Sequence, residues 1–587
     1  MYGQSGWDLS DLFDYPESPK VEDTIKQIKC LVEDYSSLRD KLDNLAQEDF
    51  VNQLRLNEKL TKAFSKLSIY SQLLFRQDTS SEKAKSFMLK MRQFGSEINN
   101  KTLFFNLWWA GLDNETAEHY LSSQGLNDDM KHVLYDSRRV KQYNLTEPEE
   151  KIINMKAATG ADALESLYTI ITSKYRFNIA VDGKKEKLTG AELLKYFFHP
   201  KHEIRKKAYN MHLKRYAKDA DVIGEIYKNM VIDLRNESHL KGYPSPMSVR
   251  TINEDLPDEV VNSLLDSCSE NISIFQKFFE LKKELCGLDK FTRYDLYAPM
   301  EKINKEIEYN EGVNYILKTL DEFSPDIGNL GRKLFDSNHI DSESGTARNK
   351  VSGYCWAVSP DTIPFISVSY DKSFNELSIL AHEIGHGIHG LLASNHDIFT
   401  FDAASPLAET ASIFNELLLL DRTLSEENNP NVKREILAKS IDNAYGTITR
   451  QAYFVRFEKE AHELIKNGAE LEDINKAYLS NVREQFGHDV PEIFKNEWLR
   501  IPHFFFTIPF YCYSYSFGQL LSMSLFNQYK KEGEDFIQPY KNILSAGGSK
   551  PPIQILSDEG IDISSEKFWQ RGFDMIKDMT ISLENMI

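Results

Sequence analysis

Residues 380–386 read Leu380-Ala381-His382-Glu383-Ile384-Gly385-His386 and contain an H-E-x-x-H motif. On a helix, side chains four residues apart project from the same face, so His382 and His386 can direct imidazole nitrogens at one metal ion. Glu383, which lies between them, is the candidate general base. The alternative is a pair of surface histidines one turn apart, since so short a motif also arises by chance. The surrounding sequence decides between the two.

The residues around the motif predict a long, partly buried helix. Ser373 and Glu376 have the spacing of a capping box, and no proline follows before about Ala393. Apolar side chains recur at helical spacing at Phe374, Leu377, Leu380, Ala381, Ile384 and Ile388. Two imidazoles on a buried helix need partners, because an unsatisfied polar group in a core is costly. This setting favours a metal site.

A catalytic zinc site uses three protein ligands and keeps one position open for water. A third histidine at the metzincin spacing would fall on Leu392, which excludes that class. A carboxylate from a later helix is the alternative. Ser405-Pro406 has the pattern of an N-cap followed by proline at the first helical position, and predicts a helix over residues 407–420.

This second predicted helix is almost entirely apolar or small, apart from Asn415 and two glutamates, Glu409 and Glu416. The glutamates are seven residues apart and therefore lie on one face. Two carboxylates on a buried helix indicate a cation, or else a buried salt bridge. Spacing alone does not decide which glutamate binds the metal. Glu409 is the preferred ligand, and Glu416 would then orient a ligand histidine.

Several other stretches resemble a known family. Besides the motif and Glu416, they are Leu407-Ala408-Glu409-Thr410-Ala411-Ser412, Gly353-Tyr354-Cys355, Pro364-Phe365-Ile366-Ser367-Val368-Ser369, Ile501-Pro502-His503-Phe504, Pro509-Phe510-Tyr511-Cys512-Tyr513, Trp7-Asp8-Leu9-Ser10-Asp11-Leu12, and Arg176-Phe177 with Asp182-Gly183. Together they resemble the oligoendopeptidase F family and its thimet-oligopeptidase relatives over nearly the whole chain. The resemblance implies one zinc ion on His382, His386 and Glu409, with Glu383 as catalytic base.

The same resemblance implies a fold class. It is a mainly α, multi-helix zincin of the gluzincin type, with a small β-sheet beside the active-site helix. The family's fold also implies a deep substrate channel that admits unstructured oligopeptides and excludes folded proteins.

The segment from Ile501 to Tyr529 contains no charged residue other than the titratable His503. It is long enough for a membrane span, but its prolines, serines, tyrosines and glutamines favour an interior wall. His503, Tyr511 and Tyr513 are the candidate donors to the oxyanion formed during hydrolysis. The alternative is that these tyrosines only pack in the core, and the sequence does not decide which of the two reaches the substrate.

Whole-chain properties exclude some functions. A net charge of −19 over 587 residues argues against nucleic acid, whose binding requires a basic face. The five cysteines are widely spaced without a C-x-x-C pattern, which indicates reduced thiols in the cytoplasm. Residues 1–8 lack the pattern of a signal peptide. We expect oligopeptide substrates and neither nucleic acid nor a membrane as partner; the sequence does not indicate the oligomeric state.

The pattern along the chain predicts an N-terminal helical domain, residues 1–190, and a catalytic zinc metallopeptidase domain, residues 191–587. Residues 174–187 alternate and turn at Asp182-Gly183, which predicts a β-hairpin. Residues 323–362, rich in Asp, Ser, Gly and Asn, predict loops and a small sheet. Residues 365–370 are the clearest strand, and this strand could pair with an extended peptide backbone.

These observations predict a zinc metalloendopeptidase that hydrolyses short unstructured oligopeptides, with a zinc-activated water and Glu383 as general base. One alternative is a helical zinc carboxypeptidase, which would need a cationic pocket for the substrate's terminal carboxylate. The other is a catalytically dead peptide-binding zinc protein. The intact Glu383 argues against the latter, because structural zinc sites usually close all four positions with Cys or His.

Overall fold

The computed structural model describes residues 2–181, 183–300, 306–343, 353–506 and 508–587. It is built mostly of α-helices with two small sheets, which confirms the predicted mainly α class. The α-helices are Pro19–Ser36, Gln47–Gln77, Glu82–Gly111, Asn114–Leu121, Asp128–Arg139, Glu147–Ala157, Ala161–Ser173, Gly190–Leu194, His202–Lys218, Ala220–Leu240, Ser248–Asn253, Asp258–Glu270, Ile272–Leu285, Tyr309–Phe323, Pro325–Asp336, Phe374–Leu392, Thr410–Glu426, Pro430–Ala444, Arg450–Lys466, Leu471–Phe486, Tyr513–Glu532, Ile537–Ser545, Pro552–Asp558 and Glu566–Glu584.

The helices belong to two compact units, each assembled from separate stretches of the chain. The first unit comprises Met1–Lys141, Lys305–Ser425 and Gln528–Ile561. The second comprises Gln142–Asn304, Glu426–Asn527 and Asp562–Ile587. The predicted boundary at residue 190 divides the chain into two continuous domains. The two units are compact groups of separate stretches, so the boundary stays a prediction.

In the first unit, the three helices between Pro19 and Gly111 pack against one another. The first and third of these helices have side-chain N-caps, since Ser18 and Ser81 accept the backbone N–H groups of Val21 and Ala84. The apolar core of these helices also includes Val358 and Phe365. The N-terminal helices therefore share a core with the segment that precedes the motif helix.

The second unit contains the predicted hairpin. Strands β1 (Phe177–Val181) and β2 (Lys184–Leu188) are antiparallel, and Phe177 lies opposite Leu188. The side chains of Phe177 and Ile179 are buried, whereas β2 is mostly exposed. The hairpin is confirmed, although Asp182 in its predicted turn lies outside the described residues.

The first unit contains a three-stranded sheet. Strand β5 (Phe365–Ser367) lies in its centre, parallel to β3 (Ile340–Asp341) and antiparallel to β4 (Tyr354–Trp356). The small sheet beside the active-site helix is confirmed, because the motif helix packs on β4 and β5. Since β5 has a hydrogen-bonded neighbour on each side, the prediction that this strand pairs with a peptide is wrong.

The predicted loop region 323–362 differs from the structure in one respect. It contains the helix Pro325–Asp336, which begins with proline after Ser324 and buries Ile327, Leu334 and Phe335. Burial of this apolar face outweighs the low helix propensity of its glycines and asparagine. Residues 344–352 of the same region lie outside the described residues.

The charge-free segment forms a short 3₁₀ turn, Pro502–Phe505, and most of the helix Tyr513–Glu532. Phe517, Leu520 and Leu521 of this helix are fully buried. Thr507 lies outside the described residues. Across the described part of the chain, no helix has both the length and the apolar character that crossing a membrane requires.

Candidate metal centre and active site

The motif helix runs from Phe374 to Leu392, as the capping pattern predicts. The Ser373 hydroxyl accepts the backbone N–H of Glu376 at 3.2 Å and caps its first turn. One face is buried in the first unit through Leu377, Leu380, Ile384 and Ile388. Burial of this face fixes the rotation of the helix, and therefore the direction in which the motif histidines point.

The structure brings His382, His386 and Glu409 together in the first unit. Glu409 Oε2 lies 3.3 Å from His382 Nε2 and 3.4 Å from His386 Nε2. The three potential ligand atoms lie within 4.8 Å of one another, and no other such group of three was found among the described residues. Two imidazole nitrogens and one carboxylate oxygen are the donor set of a catalytic zinc site, so these residues fit that metal.

Glu409 reaches this position from a turn rather than from the predicted helix 407–420. The chain forms a 3₁₀ turn at Ser405–Leu407, and the α-helix Thr410–Glu426 begins directly after Glu409. The Ser412 hydroxyl donates to Glu409 Oε2 at 2.8 Å. This contact orients the Glu409 carboxylate at the N-terminus of the helix. The Ser405-Pro406 pattern predicts that N-terminus only to within one turn.

Glu416 lies behind His382, on the side away from Glu409. Its Oε1 is 2.7 Å from His382 Nδ1, and its Oε2 accepts the Ser378 hydroxyl at 2.9 Å. A carboxylate on Nδ1 keeps a proton on that nitrogen, so that Nε2 is the nitrogen that binds a metal once the metal displaces its proton. Glu409 thus lies near the Nε2 atoms of both histidines, whereas Glu416 contacts Nδ1 of His382. The seven-residue spacing alone does not distinguish these two positions.

The two elements that carry the three candidate ligands approach very closely. A Cβ on Gly385 would lie 2.5 Å from the Ala411 carbonyl oxygen and 2.5 Å from the Ser412 Cα. Both atoms belong to backbone, which cannot move aside cheaply. Glycine at the fourth motif position is therefore what allows the motif helix to pack this near the segment that follows Glu409.

Electrostatics in this cluster are strongly coupled. Burial lowers the pKa of His382, but hydrogen bonds with Glu409 and Glu416 outweigh burial and raise it to about 10. Burial raises the pKa of Glu409, but the two imidazoles outweigh it and hold the pKa well below the usual range. Glu409 is therefore ionised at neutral pH, the state in which a carboxylate binds metal.

Glu383 is buried beside the ligands, with 5 % of its surface exposed. Its Oε2 has no hydrogen-bond partner among the described residues. A Cβ on Gly353 would lie 2.4 Å from Glu383 Oε1, so only glycine leaves room for this carboxylate. Burial raises the pKa of Glu383 to about 7, although the imidazoles of His382 and His386 oppose the shift.

These residues line a cavity of about 460 Å³. Its wall includes Tyr354 and Cys355 of β4, His389, and Asp402, whose pKa burial raises to about 6. His389 is buried, burial lowers its pKa to about 3, and it lies outside the three-residue group. The sequence did not single out Asp402, because no spacing pattern links its loop to the motif.

His503, Tyr511 and Tyr513 belong to the second unit. The rings of His503 and Tyr511 are parallel, with centroids 6.2 Å apart, and Tyr515 contacts both edge-on. Tyr511 is partly exposed, whereas Tyr513 is buried and its hydroxyl donates to Glu254. Burial lowers the pKa of His503, so its imidazole is neutral at pH 7. Tyr515 is a member of this aromatic cluster that the sequence did not single out.

Comparison with known proteins extends over the whole chain. A model of peptidase family M3 matches residues 196–575, and a model described as Oligopeptidase F matches residues 108–177. The Oligopeptidase PepF of Bacillus subtilis is 22% identical over 99% of this chain and 87% of its own length. An oligoendopeptidase F homolog of Borreliella burgdorferi is 24% identical over 97% of this chain and 96% of its own length.

Solved structures show the same fold. A crystal structure from Chlamydophila abortus superposes with a TM-score of 0.89 at 22% identity, covering 99% of this chain and 98% of that one. Oligoendopeptidase-F from Enterococcus faecium superposes with a TM-score of 0.71 at 18% identity, covering 96% and 98%. With the family models, these findings confirm the predicted resemblance.

Proposed function

This chain belongs to peptidase family M3 and is a metalloendopeptidase, and on that premise we propose that it uses one zinc ion to hydrolyse short unstructured oligopeptides. One observation carries the proposal. His382, His386 and Glu409 converge in the first unit, and the same cavity is lined by buried Glu383, whose Oε2 has no hydrogen-bond partner among the described residues. A base kept free beside a three-ligand set is the arrangement that metal-assisted hydrolysis requires.

His382, His386 and Glu409 would hold the zinc, and Glu416 would keep the His382 imidazole in the required tautomer. When bound, zinc supplies a Lewis acid that activates water and polarises a carbonyl group. A structural zinc site would instead use four Cys or His ligands, which this donor set does not offer.

Glu383 acts on protons in this proposal. Its Oε2 accepts a proton from the attacking water, and the same carboxyl group then donates it to the nitrogen of the leaving amine. The position of this carboxyl group suits both steps, because it is buried beside the candidate ligands and its Oε2 has no hydrogen-bond partner among the described residues.

We assign the oxyanion contact to Tyr511 rather than Tyr513. The Tyr513 hydroxyl donates to Glu254, and its ring is buried. Tyr511 is partly exposed, and its ring contacts those of His503 and Tyr515. A neutral phenol is a suitable donor to a developing negative charge, and His503 would contribute through the same cluster.

Substrate binding would use β4 in place of β5. Within the described residues β4 is hydrogen-bonded to β5 alone, and its Tyr354 and Cys355 line the cavity of the metal ligands. An extended peptide that pairs with such an edge is held through its backbone, which gives affinity with little side-chain selectivity. This mode suits unstructured oligopeptides and excludes segments that already belong to a folded sheet or helix.

The test is cleavage of a peptide blocked at both termini, with the fragments identified by mass spectrometry. We expect internal cleavage of the peptide, no cleavage of a folded protein of similar composition, loss of activity with a chelator and recovery with zinc. Glu383→Gln protein is the matched control against contaminating peptidases. Release of single C-terminal residues from unblocked peptides, with blocked ones intact, would instead support the carboxypeptidase alternative.

We place the reaction in the cytoplasm. The five cysteines are all free in the structure, and Cys268 and Cys512 are buried without a disulfide partner. Free buried thiols are typical of proteins from a reducing compartment. Fractionation of the source cells followed by immunodetection tests this placement, and recovery in an extracytoplasmic fraction would contradict it.

A further inference from the structure

Phe510, directly before Tyr511, has an unusual backbone conformation. Its φ is +54°, in the left-handed region that large L-residues seldom adopt. Among the described residues, the other non-glycine positions with positive φ are Asp255, Asn338 and Lys372. Asp and Asn tolerate this region because their side chains bond locally, which phenylalanine cannot do. The surrounding protein must therefore hold Phe510 in place.

Two side chains from one helix contact Phe510. Its backbone N–H donates to Glu458 Oε1 at 3.0 Å, and its ring centroid lies 4.8 Å from that of His462. Glu458 and His462 are four residues apart on the helix Arg450–Lys466, and therefore lie on one face of it. Phe510, Glu458 and His462 are 2 %, 4 % and 3 % exposed. All belong to the second unit.

Both contacting groups are neutral at pH 7. Burial raises the pKa of Glu458 to about 8, and burial lowers the pKa of His462 to about 3. An uncharged carboxyl group can remain in an apolar core without a counter-ion, and its carbonyl oxygen still accepts one N–H. The contact to Phe510 is therefore a directional hydrogen bond, which is suited to fixing backbone geometry.

Packing alone does not hold this segment. A cavity of about 170 Å³ borders Glu458 and His462, and its wall also includes Phe504, Phe506 and Pro509 of the same segment. Space next to the segment would let the backbone relax if the hydrogen bond were lost. The hydrogen bond from the Phe510 N–H to Glu458 is therefore a directional restraint beside this space.

We propose that Glu458 and His462 are positioning residues, which lock Phe510 in its left-handed conformation and thereby aim the Tyr511 hydroxyl. The φ of one residue sets the direction of the next, and Tyr511 must align with His503 while Tyr513 stays bonded to Glu254. The inference rests on the proposed function, since it gives Tyr511 the oxyanion role. Glu458 itself touches neither substrate nor metal ligands in this proposal.

The test compares Glu458→Met with Glu458→Gln in the zinc-loaded enzyme. Methionine has nearly the same shape but no acceptor for the Phe510 N–H, whereas glutamine keeps a carbonyl oxygen. We expect kcat of the methionine variant to fall at least about tenfold with KM nearly unchanged, because the oxyanion contact forms only in the transition state. The glutamine variant should keep kcat within about twofold, since it restores the acceptor. Equal losses in both variants would overturn the proposal.

Tyr511→Phe separates this inference from the proposed function. If Tyr511→Phe keeps normal turnover, the role of Tyr511 is wrong and the positioning role falls with it. If Tyr511→Phe is slow but Glu458→Met is normal, only the positioning role is overturned. In the double variant, Glu458→Met should add almost nothing to the loss from Tyr511→Phe. If the loss of kcat in the double variant equals the product of the two single losses, Glu458 does not act through the Tyr511 hydroxyl.

Should Glu458→Met fail to fold, Phe510→Gly provides the second test. Glycine adopts both positive and negative φ, so the backbone is no longer confined to one region although the Glu458 contact remains possible. We expect a lower kcat with unchanged zinc content. An unchanged kcat in folded Phe510→Gly would overturn the proposal.

Discussion

The metal cluster of the first unit and the aromatic cluster of the second are held in different ways. Glu409 Oε2 accepts a hydrogen bond from the Ser412 hydroxyl and lies within 3.4 Å of the Nε2 atoms of both motif histidines. His382 is also hydrogen-bonded to Glu416 through Nδ1. In the aromatic cluster, the rings of His503 and Tyr511 meet through ring contacts. The first cluster is a network of charged hydrogen bonds. In the second, Tyr511 contacts the rings of His503 and Tyr515 and the guanidinium of Arg250, and in our proposal the backbone conformation of Phe510 directs it.

This difference predicts how each cluster responds to substitution. Substitution of one member of a hydrogen-bonded network affects the others, because each removed group leaves its partner without that hydrogen bond. A ring held by backbone geometry can lose one hydroxyl without disturbing its neighbours. Removal of a metal ligand or of Glu416 should therefore alter metal content, and removal of the Tyr511 hydroxyl should alter turnover alone.

The largest effect is expected from Glu409→Ala. This variant removes a candidate ligand, so zinc affinity should fall by more than the ~10–100-fold that loss of a supporting residue costs, and turnover should fall with it. Metal analysis of the purified protein provides the measurement. Full zinc content in Glu409→Ala would remove the carboxylate from the ligand set.

Glu383→Gln should separate chemistry from metal binding within the first cluster. The amide keeps the shape of the side chain beside Gly353 but cannot accept a proton, so turnover should fall by at least ~10²–10⁴. Zinc content and thermal stability should stay near those of the parent enzyme. Normal turnover in metal-loaded Glu383→Gln would show that another group is the base.

The sequence predicts the two clusters to different extents for a physical reason. His382, Glu383 and His386 share one helix, so helical periodicity and one cap are enough to bring them together. The sequence favours Glu409 as the ligand, although the Ser405-Pro406 pattern predicts a helix that begins at Leu407, three residues before the observed start at Thr410. Nothing local to Phe510 indicates a left-handed φ, because its restraint comes from Glu458, 52 residues earlier.

Tertiary context also determines whether the strand that begins at Phe365 is a central strand or an edge strand. Residues 365–370 have the apolar pattern of a buried strand, and the structure places β5 at the centre of the sheet. The same pattern is compatible with an accessible edge strand, because edge and central strands differ in their neighbours rather than in their own residues. The outer strands are β3 and β4, and the three residues of β4 are too few to show an alternating pattern of their own.

Tyr511→Phe tests the second cluster and is expected to have the next largest effect. Loss of one oxyanion donor should lower kcat by about 10²–10³ with KM and zinc content little changed. Tyr513→Phe is the matched comparison, because its hydroxyl bonds to Glu254 and its removal should act mainly on stability. A larger loss of kcat from Tyr513→Phe would reassign the donor. Normal turnover in both variants, and in His503→Ala, would leave the cluster a purely structural role.

The smallest effect is expected from Glu416→Ala. Glu416 touches His382 Nδ1 rather than the three converging ligand atoms, so its loss should weaken zinc binding by about 10–100-fold without abolishing it. Glu416→Gln is the matched control. Its amide oxygen can still accept a hydrogen bond from His382 Nδ1, but the side chain no longer carries a charge. It should bind zinc more tightly than Glu416→Ala.

Ser378→Ala extends the same comparison, because Ser378 holds the other oxygen of Glu416 at 2.9 Å. Its effect on zinc affinity should be smaller still, since it acts on His382 only through Glu416. Competition with a chelator ranks the four proteins: parent, Ser378→Ala, Glu416→Gln and Glu416→Ala. If Glu416→Ala loses all zinc while Glu409→Ala retains it, the two glutamates have the opposite roles, and the short distances around Glu409 reflect an ion pair rather than a metal site.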